Sequence, residues 1–397
     1  MNICLVSNLF PPNVQGEAEV YVGELARALA GEHRVVVVTT EPGTHLQPRR
    51  EITSEGVIVY RLAPFFRAFD IYHPQVAATV SDIIKRERPD LVHIHNWKGL
   101  SLAAVMSSIP SSAPHIPVAM TLHNDALLSG RFLSTLNRDL ASRIGLVITP
   151  SHFVLDQHLQ RGFFRQATQQ ILPYGLALSP SRLAETSSPS GGGVESPSPS
   201  GGGQGGGAKP TFDVLFRGHL ERNSGIEVLV RAVRALPDPS LRLHIAGTGP
   251  SLDACTTLAR ADDRIRFYGE VGAELRRTLI ENADCMVVPS LRPDNYPVSI
   301  QEAFEAGPVL IASRIGGIPE MVRDGINGLL VEPGDQSGIA AAIERLRSSP
   351  ELVAKLRASA KETARLYDMR FHIARLIDAY QRLLLTDRLR PFDQRAA

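Results

Sequence analysis

Asp294 and Glu302, two carboxylates with seven residues between them, are the side chains whose type and spacing most directly suggest chemistry. The buried-strand pattern Cys285-Met286-Val287-Val288 leads into a turn-rich run, Arg292-Pro293-Asp294-Asn295-Tyr296-Pro297, which carries the first acid. An apolar-periodic helix expected over Val298 to Ala306 carries the second one turn in, and a further strand is expected at Val309 to Ala312. In a parallel sheet such loops line the crevice at the carboxyl ends of the strands, where unpaired N–H groups of a helix start attract phosphate. Carboxylates in that crevice accept hydrogen bonds from hydroxyls, so the combination suits recognition of a nucleotide sugar. The plainer alternative keeps Asp294 as a turn residue and Glu302 as a surface acid near the positive end of a helix.

Histidines mark two strand ends nearer the start. His93 and His95, in DLVHIHNW, share one face of a strand, and His123 stands in TLHND with Asn124 and Asp125. Three histidines and Asp125 also make a zinc-ligand set of a metal hydrolase, although no complete ligand motif is present. The other reading keeps His93 and His95 as hydrogen-bonded strand-end residues.

The elements that must position these groups alternate strand and helix, the signature of doubly wound sheets. Strands are expected at Ile3 to Val6, Val35 to Thr39, Val57 to Arg61, Leu91 to Ile94, Val118 to Leu122 and Leu146 to Thr149. A second set is expected at Asp213 to Arg217, Leu241 to Ala246, Ile265 to Tyr268, Cys285 to Val288, Val309 to Ala312 and Gly328 to Val331. Between the sets, nearly every residue from Ser187 to Gly207 is Ser, Pro or Gly, too little apolar surface to offset ordering entropy. The expected division is a domain over 1–180, a flexible linker over 181–210, a domain over 211–365 and a C-terminal helix over 366–397. That helix brings Leu366, Phe371, Ala374, Ile377, Tyr380, Leu383 and Leu384 near helical spacing.

The acid spacing, QEAFEAG, the Gly-rich ASRIGGIPEMV and the closing NGLLVEPGD together resemble retaining glycosyltransferases of family 4, the type called glycosyl transferases group 1. The family has Glu where this chain has Asp294. The resemblance extends to ITPSHFVLDQHLQRGF with ILPYGLAL, where Tyr174 replaces the family's Asn, and to FDVLFRGHLERNSGIEVL. It implies the GT-B fold, two Rossmann-like doubly wound parallel-sheet domains facing across a cleft, with the last helix crossing back to the first domain. It implies that His123 and Asp294 contact the donor sugar and that Glu302 accepts the ribose hydroxyls. Backbone amides of Pro297, Val298, Ser299 and Ile300 would hold phosphate. The turn Gly247-Thr248-Gly249-Pro250 resembles the family's G-x-G-P beneath the base, and Gly16 is kept from the paired glycines of the first loop, with Glu17 in place of the second. His219 and Ser224 stand where the family has the Arg and Lys that hold the donor diphosphate, which leaves helix N–H groups and neighbours such as Arg222 or Arg217 to balance that charge; Arg217, at the end of a buried-looking strand, is the weaker candidate.

The resemblance therefore implies an enzyme that moves a sugar from a nucleoside diphosphate sugar, used as co-substrate with no further cofactor and no metal, to a glycan, lipid-linked or small-molecule hydroxyl acceptor in polysaccharide, glycolipid or related glycan biosynthesis. Two other functions keep the scaffold: a non-catalytic nucleotide-sugar-binding relative and a sugar-nucleotide isomerase. Composition agrees with a soluble globular enzyme, since 43% of the 397 residues are hydrophobic and 21% charged. The formal net charge of +1 gives no reason to expect a nucleic-acid partner. Three scattered cysteines, no signal-peptide pattern and no membrane-length apolar run point to the cytoplasm. Two basic-aromatic patches, Arg161 with Phe163, Phe164 and Arg165, and Arg131 with Phe132, Arg138 and Arg143, fit peripheral contact with the inner face of a membrane or, more plainly, solvated faces with a packed aromatic.

Overall fold

A computed structural model describes residues 1–14, 16–43, 47–63, 72–109, 116–124, 126–128, 137–175 and 211–389. The expected linker over 181–210 lies outside the described residues, as do Asp125, Arg131 and Phe132. The chain divides into two compact units, Met1–Ala177 with Leu366–Ala397, and Leu178–Arg365.

The first unit is built on an eight-stranded sheet: β1 (Asn2–Val6), β2 (Arg34–Thr40), β3 (Arg49–Ile52), β4 (Ile58–Leu62), β5 (Leu91–Ile94), β6 (Val118–Thr121), β7 (Leu146–Thr149) and β8 (Thr168–Ile171). Their order across the sheet is β3-β4-β2-β1-β5-β6-β7-β8, with every pair parallel except β3 against β4. The central strands are buried on both faces, which is why Ile3, Leu5, Val36, Val38, Val92 and Ile94 read as continuous apolar runs. All six expected strands form. The two unexpected ones, β3 (RREI) and β8 (TQQI), are edge strands with largely exposed residues, so no apolar pattern announces them.

Arg61 on β4 is 1% exposed, and its charge is met by Glu51, whose Oε1 accepts from Nε at 2.7 Å. Its Nη1 donates to the Phe10 carbonyl at 3.1 Å and its Nη2 to that of Pro11. A buried guanidinium thereby fixes the loop that leads from β1 into the helix Glu17–Ala30.

The second unit has six parallel strands: β9 (Phe212–Arg217), β10 (Leu241–Ala246), β11 (Ile265–Gly269), β12 (Cys285–Val288), β13 (Val309–Ser313) and β14 (Leu329–Val331), in the order β11-β10-β9-β12-β13-β14. The strand order reverses between β9 and β12, the position at which an open α/β sheet forms its ligand crevice. Each of the six expected strands is present, and the helix Val298–Ala306 has the expected bounds.

The C-terminal helix runs over Met369–Leu389 and packs within the first unit. Its buried face is Met369, His372, Leu376, Ala379, Tyr380 and Leu383, whereas Leu366 and Phe371 are 66% and 62% exposed. Of the apolar stripe expected from the sequence, Tyr380 and Leu383 are buried, while Leu366, Phe371 and Ala374 are exposed and His372 faces inward in their place.

Candidate active site

In the second unit, the loops after β9, β10, β12 and β13 meet at the carboxyl ends of the strands. Gly247 (φ 145°) and Gly249 (φ 152°) lie in backbone regions that side chains rarely enter, and an added Cβ would sit 1.9 Å from the Gly218 carbonyl oxygen and 2.4 Å from that of Leu220. Only glycines let the two turns close, which Leu220 N completes by donating to Thr248 O at 2.8 Å. The same device supports the acidic loop. A Cβ on Gly316 (φ 62°) would lie 2.3 Å from the Asp294 carbonyl oxygen, and Gly317 N donates to that oxygen at 2.7 Å.

Asp294 is half-buried in this loop, and burial raises its carboxyl above the usual carboxylate range, opposed by the Asn295 backbone amide and the Arg292 charge. Glu302, one turn into the helix Val298–Ala306, accepts from Arg217 Nη1 at 2.6 Å; the two side chains are 16% and 21% exposed. Arg217 is thus not a buried strand residue. It ends β9, and its guanidinium reaches the helix Val298–Ala306.

His219 and Arg222 are exposed, and no ion pair to Arg222 is formed among the described residues. Ser224 Oγ is turned back onto the Glu221 carbonyl at 2.7 Å, in a short 3-10 turn over Arg222–Ser224. Of the four residues expected to offer amides to phosphate, Pro297 has no N–H and Ile300 N donates to Pro297 O at 3.1 Å. Ser299 is the clearest remaining donor; Val298 already takes part in other contacts.

In the first unit the strand ends carry aromatic rings instead of charges. His93 on β5 is fully buried, bonded through Nδ1 to Tyr380 of the C-terminal helix and through Nε2 to Thr121 Oγ1 at 2.8 Å. His95, 2% exposed, places Nδ1 3.3 Å from His123 Nε2, and His123 Nδ1 lies 2.7 Å from the Tyr174 hydroxyl. Tyr21, from the helix Glu17–Ala30, stands edge-on to His95 and His123 and bonds His372 Nε2 at 2.7 Å. Burial pushes His93 and His123 from 6.5 down to about 3 and His372 to about 4, and drives His95 well below 6.5. The cluster is therefore uncharged at neutral pH. No group of three or more His, Cys, Asp or Glu side chains arranged to hold a metal occurs among the described residues, and Asp125, the further ligand of the zinc alternative, lies outside them. Gly16 is exposed and forms the N-cap of its helix in extended backbone, without a side-chain cap.

Residues 211–349 match the family described as glycosyl transferases group 1, and residues 16–175 match the glycosyl transferase 4-like domain. The chain is a family 4 type glycosyltransferase. Glycogen synthase of Mycobacterium tuberculosis is 24% identical over 395 residues, covering 91% of this chain and 90% of that protein. A D-inositol 3-phosphate glycosyltransferase of Saccharomonospora viridis is 27% identical, covering 92% and 89%. Among solved structures, sucrose-phosphate synthase from Thermosynechococcus elongatus superposes with a TM-score of 0.74 at 20% identity over 97% of this chain and 99% of its own. HepE from Anabaena in complex with UDP-glucose gives 0.70 at 18% identity over 96% and 99%. The glycosyltransferase therefore has the GT-B fold.

For this glycosyltransferase the second unit brings together Asp294, Glu302, His219, Arg222, Ser224, Gly247, Gly249 and the helix start, while Gly16 and His123 belong to the first unit. Sequence reasoning did not find Tyr21, His372 and Tyr380 as members of a polar cluster, and it ranked Arg217 low. The histidine spacing gave no hint of their tyrosine partners, Tyr21 and Tyr380 from distant helices and Tyr174 from the segment after β8. Phe163 and Phe164 are 1% and 2% exposed, packed against His158, which matches the plainer reading of that patch, packed aromatics beneath a solvated face. No helix among the described residues is long and apolar enough to cross a membrane.

Proposed function

We propose that the glycosyltransferase moves a sugar, with retained anomeric configuration, from a nucleoside diphosphate sugar to a hydroxyl of a glycan, lipid-linked or small-molecule acceptor. The observation that carries this reading is the crevice of the second unit, where the glycine-closed turns, the Asp294 loop and Glu302 converge at the strand-order reversal. In it Glu302 accepts ribose hydroxyls, Asp294 orients the sugar, and Ser299 N–H with Arg222 faces the diphosphate. The complexes of HepE with UDP and with UDP-glucose support a nucleotide-sugar donor. Three free, buried cysteines support action in a reducing cytoplasm.

The transfer breaks the bond from the anomeric carbon to the phosphate oxygen and forms one to the acceptor oxygen, whose proton leaves with the departing diphosphate. Positive charge grows at the carbon and negative charge on the phosphate, so fixed dipoles and positioning matter more than a strong base. A neutral His123 near the sugar suits this step, because it supplies a hydrogen-bonding dipole without repelling the growing cation. The diphosphate side is less provided for, since the family's Arg and Lys are His219 and Ser224.

The test is a melting-temperature screen of nucleoside diphosphates and their sugars, followed by donor hydrolysis and transfer in the wild type and in H219R/S224K. One nucleoside diphosphate is expected to stabilise the wild type, and the double variant to bind it at least about tenfold more tightly through its added charged hydrogen bonds. A wild type that neither binds nor turns over any nucleotide sugar, with nothing gained by the double variant, would overturn the reading.

A further inference from the structure

The ion pair between Arg217 and Glu302 is made at one point and left open elsewhere. Arg217 Nη1 donates to Glu302 Oε2 at 2.6 Å, the one hydrogen bond of either side chain among the described residues. Glu302 Oε1 and the Arg217 nitrogens Nε and Nη2 therefore lack partners there, and none of them is among the buried unpaired atoms, so all three open to solvent.

A pair that served stability alone would close into two parallel bonds, the strong form of an arginine–carboxylate contact. With a single bond and side chains 21% and 16% exposed, this pair adds little to the stability of the fold. What it fixes is direction. A carboxylate held through one oxygen presents the other along a set line, with its lone pairs unused. The hold is firm because both residues stand on regular elements. Arg217 is the last residue of β9, in register with Ala246 just before the Gly247 turn. Glu302 lies between Gln301 and Ala303, which are fully buried in the helix Val298–Ala306. The pair thus ties β9 to the helix that follows β12, where the strand order reverses. Oε2 has a lone pair left beside the Arg217 bond, so the two carboxylate oxygens can meet the two neighbouring hydroxyls of a ribose.

We propose that Arg217 is a positioning residue that turns Glu302 to the vicinal ribose hydroxyls and so sets a preference of this glycosyltransferase for ribonucleotide over dideoxyribonucleotide ligands. The inference rests on the proposed function, in which Glu302 accepts those hydroxyls. Arg217 acts through Glu302, so its removal is felt as a lost distinction between ligands that carry the hydroxyls and ligands that do not.

The test is calorimetry on the full chain with ADP, GDP and UDP and with the 2′,3′-dideoxy form of each, in the wild type, Arg217→Met and Arg217→Lys. The wild type is expected to bind at least one ribose form about tenfold or more tightly than its dideoxy form, as hydrogen bonds to a charged group imply. Arg217→Met keeps the aliphatic stem without the N–H groups. It is expected to melt close to the wild type and to prefer ribose about threefold or less, while Arg217→Lys, with one ammonium donor, retains part of the preference. With the matching nucleotide sugar, the donor KM of Arg217→Met is expected to rise about tenfold at a kcat within about twofold of the wild type, the mark of lost uniform binding. A Met variant with the wild-type preference would overturn the inference, because Arg217 would then act apart from the hydroxyls. A Met variant that binds the ribose form more tightly than the wild type would also overturn it, because Arg217 would then cover Glu302. Equal binding of both forms by the wild type would remove Glu302 from the ribose, and the inference with it, and leave nucleotide binding in place. A wild type that binds no nucleoside diphosphate would overturn the proposed function and this inference together.

Discussion

The two units wind the same kind of parallel sheet yet furnish their strand ends with opposite chemistry. In the first, His93, His95, His123 and His372 are uncharged; tyrosines and a threonine hold His93, His123 and His372, and His95 meets His123. In the second, glycine turns bring an Arg217–Glu302 pair and a half-buried Asp294 to the crevice. The first suits neutral hydroxyls, whose hydrogen bonds need direction and no countercharge. The second suits an anion carrying a ribose, which needs charge, backbone donors and close approach. One kind of sheet thus carries two different electrostatic environments because the side chains beyond the strand ends, and not the sheets, set them.

The largest effect that would break this comparison is acid unfolding. His93, His95 and His372 are at most 3% exposed, and burial lowers their folded pKa values below 6.5. Between about 6.5 and those lowered values the unfolded chain binds more protons, so stability is retained above pH 6.5 and lost as pH falls toward about 4. Each such histidine costs about 1.4 kcal/mol per pH unit inside that window. Stability followed by circular dichroism between pH 7 and 4 is expected to fall steeply. In the variant with Phe at 380 and Asn at 93 (Y380F/H93N) the fall should be shallower. A flat profile would mean the rings are not buried neutral.

Next in size is the charged crevice. Glu302→Ala is expected to weaken binding of the nucleoside diphosphate by about 1.5 to 3 kcal/mol, roughly ten- to a hundredfold, as read by calorimetry. Arg217→Ala should cost a comparable amount, and the double variant little more than either alone, because each single change removes the same pair. Additive losses would show that Arg217 acts apart from Glu302. The smallest expected effect is that of Arg222, which is exposed: Arg222→Ala should lower donor affinity or turnover about tenfold, less at high salt, since an exposed charge is readily screened. Unchanged kinetics would move the diphosphate onto backbone donors alone.

Local patterns determined a large part of this protein. Short apolar-rich runs specified twelve strands: most are continuous and buried on both faces, as in β2, β7, β12 and β13, whereas β10 (LRLHIA) alternates buried and half-buried residues. The glycines at 247, 249 and 316 and the acids at 294 and 302 were legible for the same reason: a turn that excludes Cβ, or an acid at a helix start, is a property of a few neighbouring residues. What only the tertiary structure decided are contacts made across long stretches of chain. Tyr380 meets His93 from 287 residues away and His372 meets Tyr21 from 351, and Arg217 pairs with Glu302 across 85. The inward face of the C-terminal helix was legible in part for that reason. Spacing found Tyr380 and Leu383, which are buried, but also favoured the exposed Leu366 and Phe371 and passed over His372, whose partners on the first unit are invisible in the helix's own sequence. The edge strands β3 and β8 escaped because a half-exposed edge is specified by the neighbour it pairs with, not by its own apolar content.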